Sequence, residues 1–314
     1  MRIGVLMGGV STEREVSLKT GQNMFSSVDK EKYEVEKIVL NSKKDVFDKC
    51  DHIDFALLAL HGKYGEDGEI QSILNSMGIP YSGSDVKSSA IAMDKDLSKM
   101  ILKSGGVTLA DWVTAKNVED IEGKVIPFFK EKGKIVIKPN SGGSSVMTFI
   151  CKTEAEVVDA VKKALTVDSE VMAEEFIAGT EITVPILDGK ILPTILITSP
   201  EGFFDYTAKY EDVSKGGAKE EVVELEEELQ KKVNKAAMDT FNLLKCKVYG
   251  RVDMLVKDGI PYVLEINTLP GMTATSLIPR SAASVGIGYT KLLDMIIEAS
   301  LKERAKEDNL QPPL

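Results

Sequence analysis

The chain has 314 residues, of which 43% are hydrophobic and 28% are charged, and its net charge is −10. This length is sufficient for two or three units with a substantial core, and no stretch approaches the roughly 18 uninterrupted apolar residues of a membrane-spanning helix. The negative charge argues against nucleic acid or an anionic membrane as the main partner, so an anionic substrate would need a local basic patch.

The cysteines are widely spaced and form no Cys-x-x-Cys pair, which predicts a reduced, cytoplasmic protein. The first residues have the pattern of a strand rather than the layout of a signal peptide, in agreement with that prediction. The cysteines are Cys50, Cys151 and Cys246.

Residues 1–92 alternate between strand and helix patterns, which predicts a small doubly wound α/β unit around a parallel sheet. The chemistry of such a unit lies where its strands end, here at Gly8-Gly9 and at His61-Gly62. Because no GxGxxG motif occurs there and the second strand does not end in an acidic residue, we disfavour a dinucleotide site. The predicted strands are Ile3–Met7, Tyr33–Leu40 and Phe55–Leu60.

His61 is one of only two histidines and follows a buried strand, so it could bind a substrate carboxylate or assist proton movement. The acidic, glycine-rich loop after it has a simpler interpretation as the cap of the next helix, which begins near Glu69. We favour that structural role for Glu66 and Asp67, which leaves His61 as the candidate functional residue of this segment.

Residues 93–178 form a second predicted unit. Lys95 begins a helix that runs to about Ser104, and taken alone it has the pattern of an ordinary solvated helix lysine. A strand at Ile135–Ile137 leads into the loop Lys138–Val146, whose glycines, serines and backbone N–H groups suit phosphate binding. A flexible hairpin turn is the alternative interpretation of this loop.

A further strand, Val171–Glu175, is followed by an extended segment that ends at Glu181. The edge of such a strand can offer alternating backbone groups to a purine, and an acid beyond it can accept ribose hydroxyls. These two features predict a nucleoside site next to the phosphate loop.

Residues 179–314 form the third predicted unit, which makes the fold α/β in its N-terminal part and α+β in its C-terminal part. A hairpin is predicted across Asp188-Gly189. The aromatic residues that follow, and then a polar, glycine-bearing run, predict a mobile lid near residues 203–221. Two helices are predicted later in this unit, at Glu224–Leu244 and Thr290–Lys306.

Between those helices, two apolar runs are separated by the turn residues Asp258 and Gly259, which predicts a β-hairpin. Asp253, Glu265 and Asn267 do not suit a core strand, because a buried carboxylate needs a partner, often a cation. If Asp253 pairs with Glu265, all three side chains share one face with Arg251.

That register requires an odd number of loop residues, for example Asp258 to Ile260, because a two-residue turn would place the carboxylates on opposite faces. Two carboxylates and an amide oxygen on one face would suit Mg²⁺ with substrate phosphates. An edge hairpin with solvated charges is the alternative. The Pro270-Gly271 turn, which can expose N–H groups beside the site, favours the metal interpretation.

Taken together, these motifs resemble those of the ATP-grasp superfamily, and within it the D-alanine–D-alanine ligases. Each motif alone is weak, but their order along nearly the whole chain is specific. The motifs are GGVSTEREVSL at Gly8–Leu18, HGKYGEDG at His61–Gly68, MDK at Met93–Lys95, KPNSGGSSV at Lys138–Val146, EEFIAGTE at Glu174–Glu181, AKY at Ala208–Tyr210, GRVD at Gly250–Asp253 and EINTLPGMT at Glu265–Thr273.

The resemblance implies ATP as co-substrate and two Mg²⁺ ions per site, with Mn²⁺ as an alternative. Glu265 would bridge the two ions, and Asp253 and Asn267 would complete the protein ligands. The residues implied for ATP binding are Lys95, Lys138, Ser144, Glu174, Glu175, Ile177, Glu181 and Lys209.

The resemblance also implies how two D-alanine molecules are held. Glu13 would take the ammonium group of the first D-alanine, and His61 would lie near its carboxylate. Ser276 and Leu277 would receive the carboxylate of the second D-alanine. The implied catalytic residues are Glu13, Ser144, Tyr210, Arg251 and Gly271.

The implied reaction begins when the first carboxylate attacks the γ-phosphate of ATP to form an acyl phosphate, which the second amine then attacks. Arg251 and the Gly271 N–H would stabilise the oxyanion, and Lys209 with Tyr210 would close over the phosphate. The dipeptide would serve peptidoglycan synthesis in the cytoplasm, and a homodimer is expected from the resemblance alone.

Tyr210 favours D-alanine as the second substrate, although Met147 and the Lys/Glu-rich lid depart from the usual pattern of these ligases. Three alternatives stay open. The first is a related ligase that forms D-alanyl-D-lactate or D-alanyl-D-serine, the second is a non-catalytic nucleotide-binding protein of the same fold, and the remote third is a nicotinamide dehydrogenase.

Overall fold

The computed structural model describes residues 1–143, 146–198 and 218–308. Three sheets occur within these ranges, one built from each third of the chain. The predicted site residues Ser144, Lys209 and Tyr210, and most of the predicted lid, lie outside the described residues. None of the helices in the described ranges combines the length and the apolar character needed to cross a bilayer.

The first sheet is parallel and has the strand order β2–β1–β3, which confirms the α/β prediction for the N-terminal part. All four residues of its third strand are buried, because this apolar run lies between layers of helices. The elements are β1 (Arg2–Gly8), α1 (Arg14–Ser27), β2 (Glu34–Leu40), α2 (Asp45–Lys49), β3 (Phe55–Leu58), α3 (Glu69–Ser76) and α4 (Val86–Met93).

The second sheet is antiparallel and has the strand order β4–β7–β5–β6. Its helices have well-defined N-termini: Asp94 accepts a hydrogen bond from the Leu97 N–H at the start of α5, and Thr153 and Glu156 form a capping box on α7. The elements are α5 (Lys95–Ser104), β4 (Trp112–Ala115), a π-helical turn (Ile121–Val125), α6 (Ile126–Lys132), β5 (Ile135–Pro139), β6 (Phe149–Cys151), α7 (Glu154–Ala164) and β7 (Val171–Glu175).

The third sheet is antiparallel and has the order β11–β10–β8–β12–β13, with β9 on the side of β8. Lys219–Val222 form its edge strand, so the last residues of the predicted lid, 219–221, lie in a strand, and the lid itself stays a prediction. The elements are β8 (Thr180–Leu187), β9 (Lys190–Ile191), β10 (Ile195–Thr198), β11 (Lys219–Val222), α8 (Glu227–Leu243), β12 (Tyr249–Lys257), β13 (Ile260–Asn267), α9 (Leu277–Ser284) and α10 (Tyr289–Asp308).

The last two helices return to the core of the first sheet, although α9 also contacts the third sheet through Leu277. Ile278 of α9 and Leu292 of α10 are buried in the same core as Ile3 of β1, and Arg304 donates to the Gly83 carbonyl at 2.7 Å. Because α9 and α10 pack in the core of the first sheet, the loop before α9 lies over the carboxyl ends of β1 and β3. The boundaries 1–92, 93–178 and 179–314 stay a proposal.

Candidate active site

The hairpin β12–β13 presents its polar residues on one face. Arg251 pairs with Asn267, and Asp253 pairs with Glu265, which confirms the predicted register. Directly paired residues in an antiparallel sheet point the same way, so the two carboxylates and the amide lie together.

The turn that sets this register differs from the predicted one. The loop is a two-residue turn at Asp258-Gly259, both with positive φ, and Lys257 pairs with Ile260. The predicted odd-numbered loop was therefore wrong. A β-bulge between Asp253 and Met254 leaves Leu264 without a partner across the strand pair, and this extra residue returns Glu265 to the face of Asp253.

Asp253 is 6% exposed and receives several hydrogen bonds. Arg251 donates to its two oxygens at 2.9 and 2.7 Å, the Asn267 amide donates at 2.9 Å, and the Thr183 hydroxyl donates from the neighbouring strand at 2.5 Å. Burial opposes the charge of Arg251, but the carboxylate of Asp253 outweighs it and holds the arginine pKa above its usual range. Thr183 was missed because its contact depends on the pairing of β8 with β12.

Glu265 pairs with a lysine from another unit. Lys95, which is 7% exposed, lies 3.1 Å from the Glu265 carboxylate and donates to the Gly142 carbonyl at 2.6 Å. Lys95 is therefore not the solvated helix lysine that its segment alone suggested. It joins the phosphate-loop candidate to the acidic hairpin.

The donor chemistry of the hairpin fits a hard cation. Two carboxylates and an amide carbonyl on one face are the oxygen ligands that Mg²⁺ uses, with phosphate oxygens and water supplying the rest. Rotation of the Asn267 amide would turn its oxygen toward the carboxylates. In the described part of the chain, no group of three or more His, Cys, Asp or Glu side chains forms a closed metal cage.

A cavity of about 590 Å³ lies between the second and third sheets, in contact with this face. Glu265 and the bulge residue Leu264 both line it. Among the described residues, the structure thus brings most of the predicted phosphate, nucleoside and metal candidates to one place. The predicted residues that line this cavity are Lys95, Lys138, Glu174, Glu175, Ile177, Glu181, Asp253 and Glu265.

Glu174 contacts two lysines at the wall of this cavity. Lys138 lies 2.7 Å from one of its oxygens, and Lys99 forms an ion pair with the other. Burial raises the pKa of the carboxyl, but the two ammonium groups outweigh burial and lower it. Sequence reasoning missed Lys99, although its position four residues after Lys95 places both on one face of a helix.

A second, acidic region adjoins the first at the end of β1. A Cβ atom added to Gly62 or to Gly143 would lie 2.9 Å from Oε1 of Glu13, so this carboxylate sits between the two glycines. The Ser11 hydroxyl donates to the His61 carbonyl at 2.7 Å and fixes the loop that holds Gly62. The structure thus places Glu13 beside the phosphate-loop candidate.

Glu66 lies on the other side of Gly62 and accepts the Gly62 N–H at 2.6 Å. Burial, with the negative charge of Glu13 as a second cause, raises its pKa to about 8. It lines a small pocket with Glu265 and Asn267. The structural role in the helix-capping loop that we favoured for Glu66 is therefore incomplete, because the Glu66 side chain also faces the site.

The ring of His61 is buried between two protein groups. Its Nδ1 lies 3.1 Å from the Leu269 carbonyl, and its Nε2 lies 2.9 Å from the Thr20 hydroxyl. Burial lowers its pKa to about 4, so the ring is neutral at pH 7, with the proton on Nδ1 because a carbonyl only accepts. His61 thus anchors the loop after β13, and its predicted contact with substrate stays a prediction.

That loop carries the remaining predicted residues. The Ser276 hydroxyl accepts the Thr273 N–H at 3.0 Å, and a Cβ atom added to Gly271 would approach that hydroxyl to 3.3 Å. Leu277 is buried at the start of α9. Gly271 and Ser276 thus lie together after β13.

The chain is similar to known proteins along nearly its whole length. Two family models match, described as D-ala D-ala ligase N-terminus, over residues 2–49 and 41–84, and D-ala D-ala ligase C-terminus, over residues 101–298. A D-alanine–D-alanine ligase of Clostridium beijerinckii is 53% identical over 304 residues, which cover 96% of this chain and 99% of that protein.

Solved structures are similar as well. A D-alanine–D-alanine ligase from Bacillus anthracis complexed with ATP aligns with a TM-score of 0.88 and 50% identity, covering 98% of this chain and 99% of that one. A D-Ala:D-Ser ligase, VanG, from Enterococcus faecalis aligns with a TM-score of 0.81 and 27% identity, covering 95% of this chain and 99% of that one.

Proposed function

This chain belongs to the D-alanine–D-alanine ligase family, and from that premise we propose that it joins two D-alanine molecules with ATP, for peptidoglycan precursor synthesis. The products are D-alanyl-D-alanine, ADP and phosphate. The 53% identity to a ligase of that name, against 27% to a D-Ala:D-Ser ligase, favours D-alanine as the second substrate. A cytoplasmic location and a homodimer are further parts of this proposal.

One observation carries the proposal most strongly. Two lysines from the second unit and two carboxylates from the third, Lys95, Lys138, Asp253 and Glu265, line a single cavity. A nucleotide triphosphate needs cationic side chains, and its divalent cations need carboxylates within reach of the same phosphates. A protein that only bound nucleoside would not need the acidic hairpin.

ATP is proposed to lie along this cavity. The segment from Glu174 to Glu181 would hold adenosine, with Glu181 at the ribose, and Lys95 and Lys138 would hold the phosphates. The part proposed for Ser144, Lys209 and Tyr210 rests on the resemblance.

Asp253, Glu265 and Asn267 are the residues proposed to hold two Mg²⁺ ions. When bound, these ions would polarise phosphate oxygens and neutralise the charge that moves during transfer. Arg251 and Lys95, which now contact the carboxylates, would remain as neighbouring positive charges.

Glu13 is proposed to bind the ammonium group of the first D-alanine. This contact would orient the carboxylate of D-alanine toward the γ-phosphate. The resulting acyl phosphate is attacked by the neutral amine of the second D-alanine, and phosphate leaves. Arg251 uses Nε and Nη2 on Asp253, so its Nη1 is the donor proposed, with the Gly271 N–H, for the oxyanion.

The second D-alanine is proposed to place its carboxylate at Ser276 and Leu277, where the helix α9 begins. The N-terminal end of a helix favours an anion, which supports this placement. His61 would then act by holding the Leu269 carbonyl and with it the loop that carries Gly271.

The deciding test is phosphate release from ATP in the presence of Mg²⁺. We expect release with D-alanine and none above background with L-alanine, D-lactate or D-serine at neutral pH. Product analysis should find D-alanyl-D-alanine. Absence of turnover with D-alanine would contradict the proposal, and faster turnover with D-serine would move the chain to the alternative ligase class.

A further inference from the structure

Lys99 lies behind the wall of the nucleotide cavity, deeper than any residue discussed for ATP. It is 1% exposed, on the same face of α5 as Lys95. Its ammonium group forms an ion pair with Oε1 of Glu174 and donates to the Ala110 carbonyl at 3.1 Å. It also lies 5.0 Å from the centre of the Trp112 ring.

Glu174 therefore holds two ammonium groups on separate oxygens. Lys99 uses Oε1, and Lys138 lies 2.7 Å from Oε2. The sheet register explains the second contact: Glu174 pairs with Val136, and Lys138, two residues further along β5, shares the face of Val136. Lys138 and Glu174 line the cavity, whereas Lys99 approaches Glu174 from the side of α5.

The two lysines differ in whether their side chains can move toward a ligand. Ala110 and Trp112 surround the Lys99 ammonium, and the residue is buried, so its place is fixed. Lys138 has a 12% exposed side chain that faces the cavity, so it can turn from Glu174 toward a ligand. Because the lysines use different oxygens, movement of Lys138 does not require Lys99 to move.

We propose that Lys99 is a positioning residue, the permanent buried countercharge of Glu174, which releases Lys138 to bind the phosphate chain of ATP. Removal of one partner from a buried ion pair leaves the other charge uncompensated, which is strongly unfavourable. Without Lys99, Lys138 would have to stay on Glu174. The inference rests on the proposed function only in assigning a nucleotide phosphate to Lys138.

The test uses the full chain and replaces Lys99 with a side chain of similar length and no charge. Lys99→Met should weaken the binding of ATP by roughly tenfold or more and leave adenosine within about twofold, because adenosine has no phosphate for Lys138. Isothermal titration with ATP, adenosine and inorganic tripolyphosphate measures these affinities. Lys99→Arg, which keeps the charge, should retain ATP binding.

The double variant Lys99→Met with Glu174→Gln separates positioning from simple structural support. It removes the carboxylate that retains Lys138, so tripolyphosphate affinity should return to within a few-fold of the wild type. If the double variant is as weak as Lys99→Met, or if Lys99→Met binds ATP like the wild type, the inference is overturned. Circular dichroism reports whether each variant is folded.

Glu174→Gln alone keeps the inference testable if Lys99→Met does not fold. This variant should bind tripolyphosphate at least as tightly as the wild type, because both lysines lose their carboxylate, and weaker binding overturns the inference. A wild type that binds ATP but shows no turnover with D-alanine contradicts the proposed reaction alone. A wild type that binds neither ATP nor tripolyphosphate overturns both proposals.

Discussion

The two regions of the site have opposite charge arrangements. In the nucleotide region, two lysines share one carboxylate, since Lys99 and Lys138 both contact Glu174. In the region at the end of β1, two carboxylates flank one glycine, since Glu13 lies against Gly62 and Glu66 accepts its N–H. The contact group around Glu174 thus has two ammonium groups for one carboxylate, whereas the group around Gly62 has two carboxylates close enough for the charge of Glu13 to raise the pKa of Glu66.

This difference corresponds to the charges of the proposed ligands. Phosphates need positive charge, and the ammonium group of an amino acid needs negative charge, so the lysines at Glu174 and the carboxylate of Glu13 each suit the proposed ligand. The hairpin with Asp253 and Glu265 lies between them, and Arg251 and Lys95 hold its charges in pairs. The comparison predicts that substitutions in one region affect one ligand, whereas substitutions in the hairpin affect the whole reaction.

The largest effect is expected where the two regions meet. Glu265→Gln removes a charge proposed to hold the cations and now paired with Lys95, so turnover should fall by about a thousandfold or more. The fold should remain, because glutamine has the same shape. Phosphate release measures the loss, and exposed Glu224→Gln is the control. Turnover within tenfold of the wild type would remove the metal assignment.

A smaller and more selective effect is expected in the acidic region. Glu13→Gln should raise the KM for D-alanine by about a hundredfold, because the ammonium group loses a charged partner, while the affinity for ATP stays within a few-fold. Glu15→Gln, an exposed change in the first turn of the helix that Glu13 precedes, is the matched control. If Glu13→Gln weakens ATP as much as D-alanine, the two regions are not separate.

The strand and helix patterns predicted the fold class, because they are local properties, whereas the resemblance of the ordered motifs to a known family implied which segments meet. The face shared by Asp253 and Glu265 was also predicted correctly. The β-bulge at Leu264 that produces this shared face was not predicted, because a bulge depends on how the strands pair and leaves no local signal.

Contacts between distant segments account for the other differences. Lys99 meets Glu174 only because α5 packs on the second sheet, and nothing near either residue in sequence indicates the pair. Likewise, α10 follows the third sheet in the chain but buries its apolar face in the core of the first, and α9 packs against both sheets. Amphipathic patterns show which face of a helix is buried, not which partner buries it.

The smallest predicted effect concerns the repulsion between the carboxylates of Glu13 and Glu66, which should make the free energy of unfolding depend on pH. Burial and the neighbouring Glu13 raise the pKa of Glu66 to about 8, above its ordinary value of 4.5, so between these values the folded protein binds more protons than the unfolded chain. The free energy of unfolding should therefore fall as pH rises through this window. Glu66→Gln removes the titrating group and can still accept the Gly62 N–H through its amide oxygen.

We expect Glu66→Gln to be more stable than the wild type by about 1 to 3 kcal/mol near pH 9, with the difference vanishing toward pH 4.5. Urea unfolding at several pH values, with chelator present, measures it, and Glu69→Gln on the following helix is the control. Saturating D-alanine should narrow the difference at high pH, because its ammonium group would compensate the same charge. If the wild type and Glu66→Gln lose stability equally as pH rises, the carboxylates of Glu13 and Glu66 do not repel each other. The comparison of charges would then apply only to the nucleotide region.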